Sequence, residues 1–114
     1  MIKRSKTVSL IGFATKARKL TIGTELTVET VRSKKKNGVR LMLCASNASE
    51  NTKKRVRDCG AYHNVPVLEL KETTEELSQI TGKLHAVAVI GVTDDGFARA
   101  ICDSVTVGED TENS

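Results

Sequence analysis

Two features between Thr21 and Arg40 have the chemistry to hold an anion. Gly23-Thr24 opens a short run to about Arg32, in which Glu25, Glu29 and Arg32 form a polar stripe and Leu26, Val28 and Val31 remain for packing. A helix start presents unpaired backbone N–H groups and about half a positive charge, which favours phosphate. A basic loop with turn residues follows, Ser33-Lys34-Lys35-Lys36-Asn37-Gly38, and lysines close by would deepen that field. The expectation is a phosphate-binding corner suited to an RNA backbone.

The other reactive residues point away from catalysis. His63 and His85 have no companions at metal-ligand spacing and sit in no triad pattern. Asp94-Asp95 reads as a helix cap that complements the dipole rather than as a metal site. Cys44, Cys59 and Cys102 are odd in number, widely spaced and without a Cys-x-x-Cys pair, so reduced, partly buried thiols are expected. There is no Walker loop and no GxGxxG run. We expect no enzyme, no cofactor and no metal.

Charge is distributed unevenly along the 114 residues. Residues 1–60 hold fifteen Lys/Arg against four Asp/Glu, and residues 61–114 hold three against ten, which suggests one face of positive potential. No apolar run approaches a membrane span. The amino terminus places Lys16-Ala17-Arg18-Lys19 where a leader would be cleaved, so a cytoplasmic protein without membrane contact or small-molecule substrate is expected. Only Phe13, Tyr62 and Phe97 are aromatic, too few for a platform that stacks single strands. Recognition of folded RNA by shape suits this inventory better.

The elements that must position these groups follow from periodicity and caps. Ser5 caps a first helix to about Ala17, with Leu10, Phe13, Ala14 and Ala17 as its buried stripe and Val8 and Ile11 on a second side. Residues 18–21 make a short edge strand, and 39–45 a strand buried on both faces. Ser49 caps a helix through about Tyr62, with Thr52, Val56, Cys59 and Gly60 inward and His63 at the same angle. Residues 65–70 form the next strand, with Pro66 near its start. Thr73 to Glu76 forms a capping box for a helix with Leu77 and Ile80 inward and Gly82 at its end. Residues 85–92 form a buried strand. Thr93-Asp94 then caps a last helix with Phe97, Ala98, Ile101, Cys102 and Val105 inward.

This alternation predicts an α/β fold, a three-layer α/β/α sandwich around a mixed, mostly buried sheet of about four strands. Residues 1–106 would form one domain and 107–114 an acidic, disordered tail. Loops beyond the carboxyl ends of strands carry function in open α/β sheets. Ser46–Ser49 and Thr93–Gly96 should therefore join the start of the second helix in one polar rim.

The segments IGFATKARKLTIGTE, LMLCASNASENTKKRVRDCGAYHNVPVLEL and AVAVIGVTDDGFARAI, in that order, resemble the ribosomal protein L-seven-Ae and L-thirty-e superfamily over residues 8–102. The match is nearest to its small bacterial branch. It rests on Gly12, Ala14, Lys19, Ala48-Ser49, Asn51-Thr52, Val65-Pro66, Thr93-Asp94 and Gly96-Phe97-Ala98. The resemblance implies an α/β/α sandwich that binds structured RNA, typically a kink-turn or ribosomal RNA, with the ribosome as its setting. In such proteins the second helix opens Gly-Thr-Asn-Glu-x-x-Lys. Its asparagine, glutamate and lysine read tandem sheared G·A pairs, and a loop after the last strand covers a flipped-out nucleotide. Here Gly23 and Thr24 match, while Glu25, Leu26 and Glu29 stand at the three reading positions. Resemblance and chemistry together nominate Arg18, Lys19, Gly23, Thr24, Glu25, Lys34, Lys35, Lys36, Arg40, Ser46, Asn47, Thr93 and Asp94 as RNA-binding residues. A protein-interaction module that has lost kink-turn recognition is the alternative.

Overall fold

A computed structural model describes residues 5–33 and 38–108. The lysine loop Lys34-Lys35-Lys36 and most of the acidic tail lie outside the described residues. The elements are α1 (Lys6–Lys16), β1 (Leu20–Ile22), α2 (Thr24–Ser33), β2 (Leu41–Cys44), α3 (Glu50–His63), β3 (Val67–Glu69), α4 (Thr74–Thr81), β4 (Val89–Val92) and α5 (Asp95–Asp103), closed by a π-helical turn, Ser104–Gly108. The caps act where local chemistry places them. Ser5, Ser49, Thr73 and Asp94 each accept a backbone N–H from the first turn that follows, and Thr73 and Glu76 complete the capping box.

The four strands form one mixed sheet in the order β1-β4-β2-β3. β4 is antiparallel to both β1 and β2, with Leu41 opposite Val92 and Cys44 opposite Val89, whereas β2 and β3 are parallel. All residues of β2 and β4 are buried, because helices cover both faces. α2 and α3 pack side by side on one face, and α1, α4 and α5 associate on the other, giving the three-layer α/β/α sandwich. Close approach is needed under the first pair. A Cβ on Gly60 would stand 2.5 Å from Val67 Cγ2, and one on Gly91 would strike Thr21 Oγ1, so glycine lets helix and strand meet at both places.

Three expectations need correction. The buried stripe of α1 is Thr7, Ile11 and Ala14, while Phe13 is 60% exposed and Ala17 is exposed. A polar residue leads that stripe because Thr7 bonds Ser104 at 2.6 Å, and Ser104 in turn donates to the Ile101 carbonyl. Leu26 is 54% exposed, and the buried residues of α2 are Thr27, Val28 and Val31. β4 begins at Val89 rather than His85, because the Val87 N–H leaves the ladder to bond the Thr74 carbonyl. No helix among the described residues is long and apolar enough to cross a membrane.

Candidate nucleic-acid interface

The start of α2 differs chemically from the other helix starts. Gly23 has φ 111°, its N–H donates to the Val89 carbonyl at 2.8 Å, and its own carbonyl accepts from Thr27 N–H at 3.1 Å. Such a φ suits glycine, and glycine has no side chain with which to cap. Among the described residues no side chain caps α2, so its first-turn N–H groups remain available to an anion or a base acceptor.

Strand direction divides the expected site in two. Gly23 bonds Val89 at the beginning of β4, and Cys44 at the end of β2 pairs with that same residue. Gly23, Thr24, Glu25, Ser46 and Asn47 therefore share one end of the sheet. Thr93, by contrast, follows the far end of β4, where its N–H donates to the Lys19 carbonyl and the Arg40 N–H donates to Val92. Arg18, Lys19, Arg40, Thr93 and Asp94 thus lie at the opposite end. α2, with ten residues, separates the two ends by roughly 15 Å. The single polar rim fails because the rule about carboxyl ends presumes parallel strands, and β4 runs against β2.

Three helix starts do gather at the Gly23 end, but the third belongs to α4 rather than α5. The Ser46 N–H donates to the Glu72 carbonyl, and Asn47 Oδ1 accepts from the Thr74 N–H at 2.8 Å while its Nδ2 donates to Glu75 at 3.3 Å. Asn47 is thereby engaged in holding the start of α4. Its bond contributes, after Glu75's own backbone N–H and the Thr74 hydroxyl, to keeping the Glu75 carboxyl below the usual range. Leu84, His85 and Ala86 are exposed along the connection that returns the chain to this end, and Leu84 is fully so. Periodicity places His85 and Ala86 in a strand, and nothing in the sequence marks them as surface. The loop that follows the last strand lies at the other end.

Electrostatically the two ends are opposites. The Gly23 end carries Glu25, Glu50, Glu69, Glu72, Glu75 and Glu76 against Lys53, Lys54, Arg55 and Lys71. The Arg40 end carries Lys16, Arg18, Lys19, Arg32 and Arg40 against Asp94 and Asp95, with Arg40 Nε 3.3 Å from Asp95. Lys16, Arg18, Lys19, Arg32 and Arg40 therefore gather about the carboxyl ends of α1 and α2, where they complement the helix dipoles, while the start of α2 has Arg55 against its own Glu25. Asp94 caps α5, its Oδ2 accepting from Phe97 N–H at 2.9 Å. His63 is half-buried beside Tyr62, ring centroids 4.9 Å apart, along an open concavity of about 420 Å³ that also includes Arg40.

One contact at the Gly23 end has no sequence signal. Arg55, on α3, clasps Glu25 with two hydrogen bonds, Nη1 to Oε2 at 2.6 Å and Nη2 to Oε1 at 3.0 Å. Hydrogen bonding and charge from Arg55 hold the Glu25 carboxyl below its usual range, and the guanidinium's own value rises in return. Cys44 is buried, Cys59 and Cys102 are half-buried, and all three are free thiols. Among the described residues no group of His, Cys, Asp or Glu could hold a metal ion.

Comparison with known proteins converges on one family. Residues 5–102 match the Ribosomal protein L7Ae/L30e/S12e/Gadd45 family. The "RNA-binding protein YlxQ" of Enterococcus faecium is 42% identical over 96 residues, which cover 84% of this chain and 87% of that protein. A protein of unknown function from Bacillus halodurans superposes with a TM-score of 0.81 at 33% identity, covering 90% of this chain and 98% of that one. A 15.5 kD RNA binding protein from Giardia lamblia shares the fold, with a TM-score of 0.69 at 12% identity over 91% of this chain and 88% of that one. With its mixed four-stranded sheet, its α/β/α layers and this match over nearly the whole chain, the protein belongs to the ribosomal protein L7Ae/L30e/S12e/Gadd45 family, on its YlxQ-like branch.

Proposed function

We propose that this chain binds structured RNA without catalysis, ribosomal RNA or a kink-turn-like element, in the cytoplasm and in contact with the ribosome. The observation that carries the reading is the uncapped, glycine-led start of α2, beside an exposed connection into β4, in a chain 42% identical to a protein named for RNA binding. Thr24 and the residues after it in the first turn offer backbone N–H donors to the RNA, and Gly23, whose own N–H is held by Val89, sets their direction. Leu26, exposed at a reading position, offers an apolar contact to a base or sugar. Ser46 and Asn47 are engaged in holding the start of α4. Arg18, Lys19 and Arg40, at the opposite end of α2, supply the positive field that draws RNA in. Thr93 and Asp94 organise the start of α5.

Fluorescence anisotropy against a kink-turn RNA and a matched plain duplex, repeated over a salt series, tests the proposal. Preference for the kink-turn that persists as salt rises is expected. Equal and steeply salt-dependent binding to both RNAs would reduce the interaction to phosphate contacts. Failure to bind either RNA at low salt would overturn it. One observation favours a second reading, a protein partner: Phe13 stands 60% exposed beside a groove between α1 and α4 that includes Gly12, Ile80 and Gly82. That reading predicts no RNA preference and little salt dependence.

A further inference from the structure

The reading positions on α2 lack the cation found in related RNA readers, since Glu29 stands where they carry lysine. Arg55 reaches the same region from α3. It is tied to Glu25 across 30 residues of sequence, with Arg55 42% and Glu25 81% exposed, so the pair is open to a ligand. It is unlike the neighbouring Lys54–Asp58 pair, which is an ordinary i,i+4 contact within α3. The carboxylate occupies Nη1 and Nη2 through one hydrogen each. A guanidinium has five donors, so Nε–H and the second hydrogens of both terminal nitrogens remain, and among the described residues none of them takes another bond. A fork of two donors therefore stays free and is held in orientation by Glu25.

We propose that Arg55, held by Glu25, is a specificity-determining residue that reads a guanine major-groove edge in the RNA. The inference rests on the RNA-binding reading above and names the group that replaces the missing lysine. A free arginine fork matches the adjacent N7 and O6 acceptors of guanine. A phosphate is the competing pair of acceptors, and the surroundings disfavour it. Glu25 already neutralises the guanidinium, and the charge of Glu29, one turn further along α2, also falls on Arg55. An incoming phosphate would meet two carboxylates for one cation, whereas a base edge is neutral. The same pair can accept as well as donate, through the Glu25 carboxylate, so it reads a pattern of groups rather than a charge.

The test uses the full chain and anisotropy against a kink-turn RNA, the same RNA with 7-deazaguanosine at the tandem G·A pairs, and a plain duplex, over a salt series. Arg55→Gln should weaken kink-turn binding roughly tenfold or more, the loss expected for one bidentate base contact. In the double variant Glu25→Gln/Arg55→Gln, which removes the pair without leaving a bare charge, the slope of log K against log salt should stay unchanged, because a neutral pair releases no counterions. A phosphate contact would instead reduce that slope by about 0.9 and weaken the duplex equally. Arg55→Lys should not rescue binding, since an ammonium has no fork. The 7-deaza RNA should bind wild type more weakly and Arg55→Gln no differently from the parent RNA. Glu25→Gln should steepen the salt slope and narrow the preference for kink-turn over duplex. Arg57→Gln, on the same helix, controls for charge alone, and urea midpoints confirm that every variant folds. If wild type prefers the kink-turn while Arg55→Gln binds it equally well, or the double variant Glu25→Gln/Arg55→Gln loses affinity with a shallower slope, the assignment of Arg55 is wrong and RNA binding stands. If wild type binds neither RNA, the parent reading falls and this one with it.

Discussion

Adding one methyl group at Gly23 and one at Gly12 should shift stability in opposite directions. Neither site is crowded, since a Cβ built on either residue meets nothing within 4 Å. Packing is therefore removed from the comparison and only backbone preference remains. Gly12 lies inside α1, where alanine reduces the freedom of the unfolded chain and suits the helix, so Gly12→Ala should stabilise by about 0.5–1 kcal/mol. Gly23 holds φ 111°, which an L-residue adopts only under strain, and strain of this kind costs about 1–3 kcal/mol. After the opposing unfolded-state gain, Gly23→Ala should destabilise by about 1–2 kcal/mol. Urea unfolding followed by far-UV circular dichroism measures both. With a slope of about 2 kcal/mol per molar, the two midpoints should separate by roughly 1 M. Equal midpoints, or a Gly23→Ala variant as stable as wild type, would refute the argument that this φ fixes the entry into α2. Kink-turn affinity should fall in Gly23→Ala and hold in Gly12→Ala, because only the first displaces the opening N–H groups of α2.

Asn47→Ala should lower the melting temperature by about 4 °C, the effect of roughly 1 kcal/mol, while leaving the RNA affinity of the folded protein unchanged, because its amide holds Thr74 and Glu75. A lost affinity with an unchanged melting temperature would make it an RNA contact instead. Gly91→Ala should cost about 1–3 kcal/mol in urea unfolding, since its Cβ would strike Thr21 Oγ1 and come within 2.9 Å of Thr27 Cγ2 and 3.0 Å of Val39 Cγ2. Burial raises the Cys44 thiol above its ordinary value, with the nearby Glu69 charge adding to the effect. Above the ordinary thiol range the unfolded chain therefore ionises while the native thiol keeps its proton, and stability falls as pH rises. Between pH 8 and pH 10, wild type should lose more stability in urea than Cys44→Ala does.

The helix caps and the buried central strand were legible before any coordinates, because each depends on residues within a few positions. Ser5, Ser49, Thr73 and Asp94 are short hydrogen-bonding side chains at the start of an apolar period, and the unpaired N–H groups of the next turn lie within reach whatever the rest of the chain does. The run from Leu41 to Cys44 has no polar face, so it had to be covered on both sides. Gly23-Thr24 was legible for the same local reason. Where these elements finally lie relative to one another was decided only by tertiary structure. The sign of one strand's direction, β4 against β2, sent Thr93 and Asp94 to the end opposite Ser46 and Asn47. The length of α2 parted Gly23 from the cations around Arg40. The burial of Thr7 and exposure of Phe13 followed from a partner, Ser104, far along the chain. Arg55 found Glu25 because α2 and α3 run side by side on one face of the sheet. Caps and periods are written within a turn of chain, but strand direction and pairing between helices are settled by which faces must be buried together.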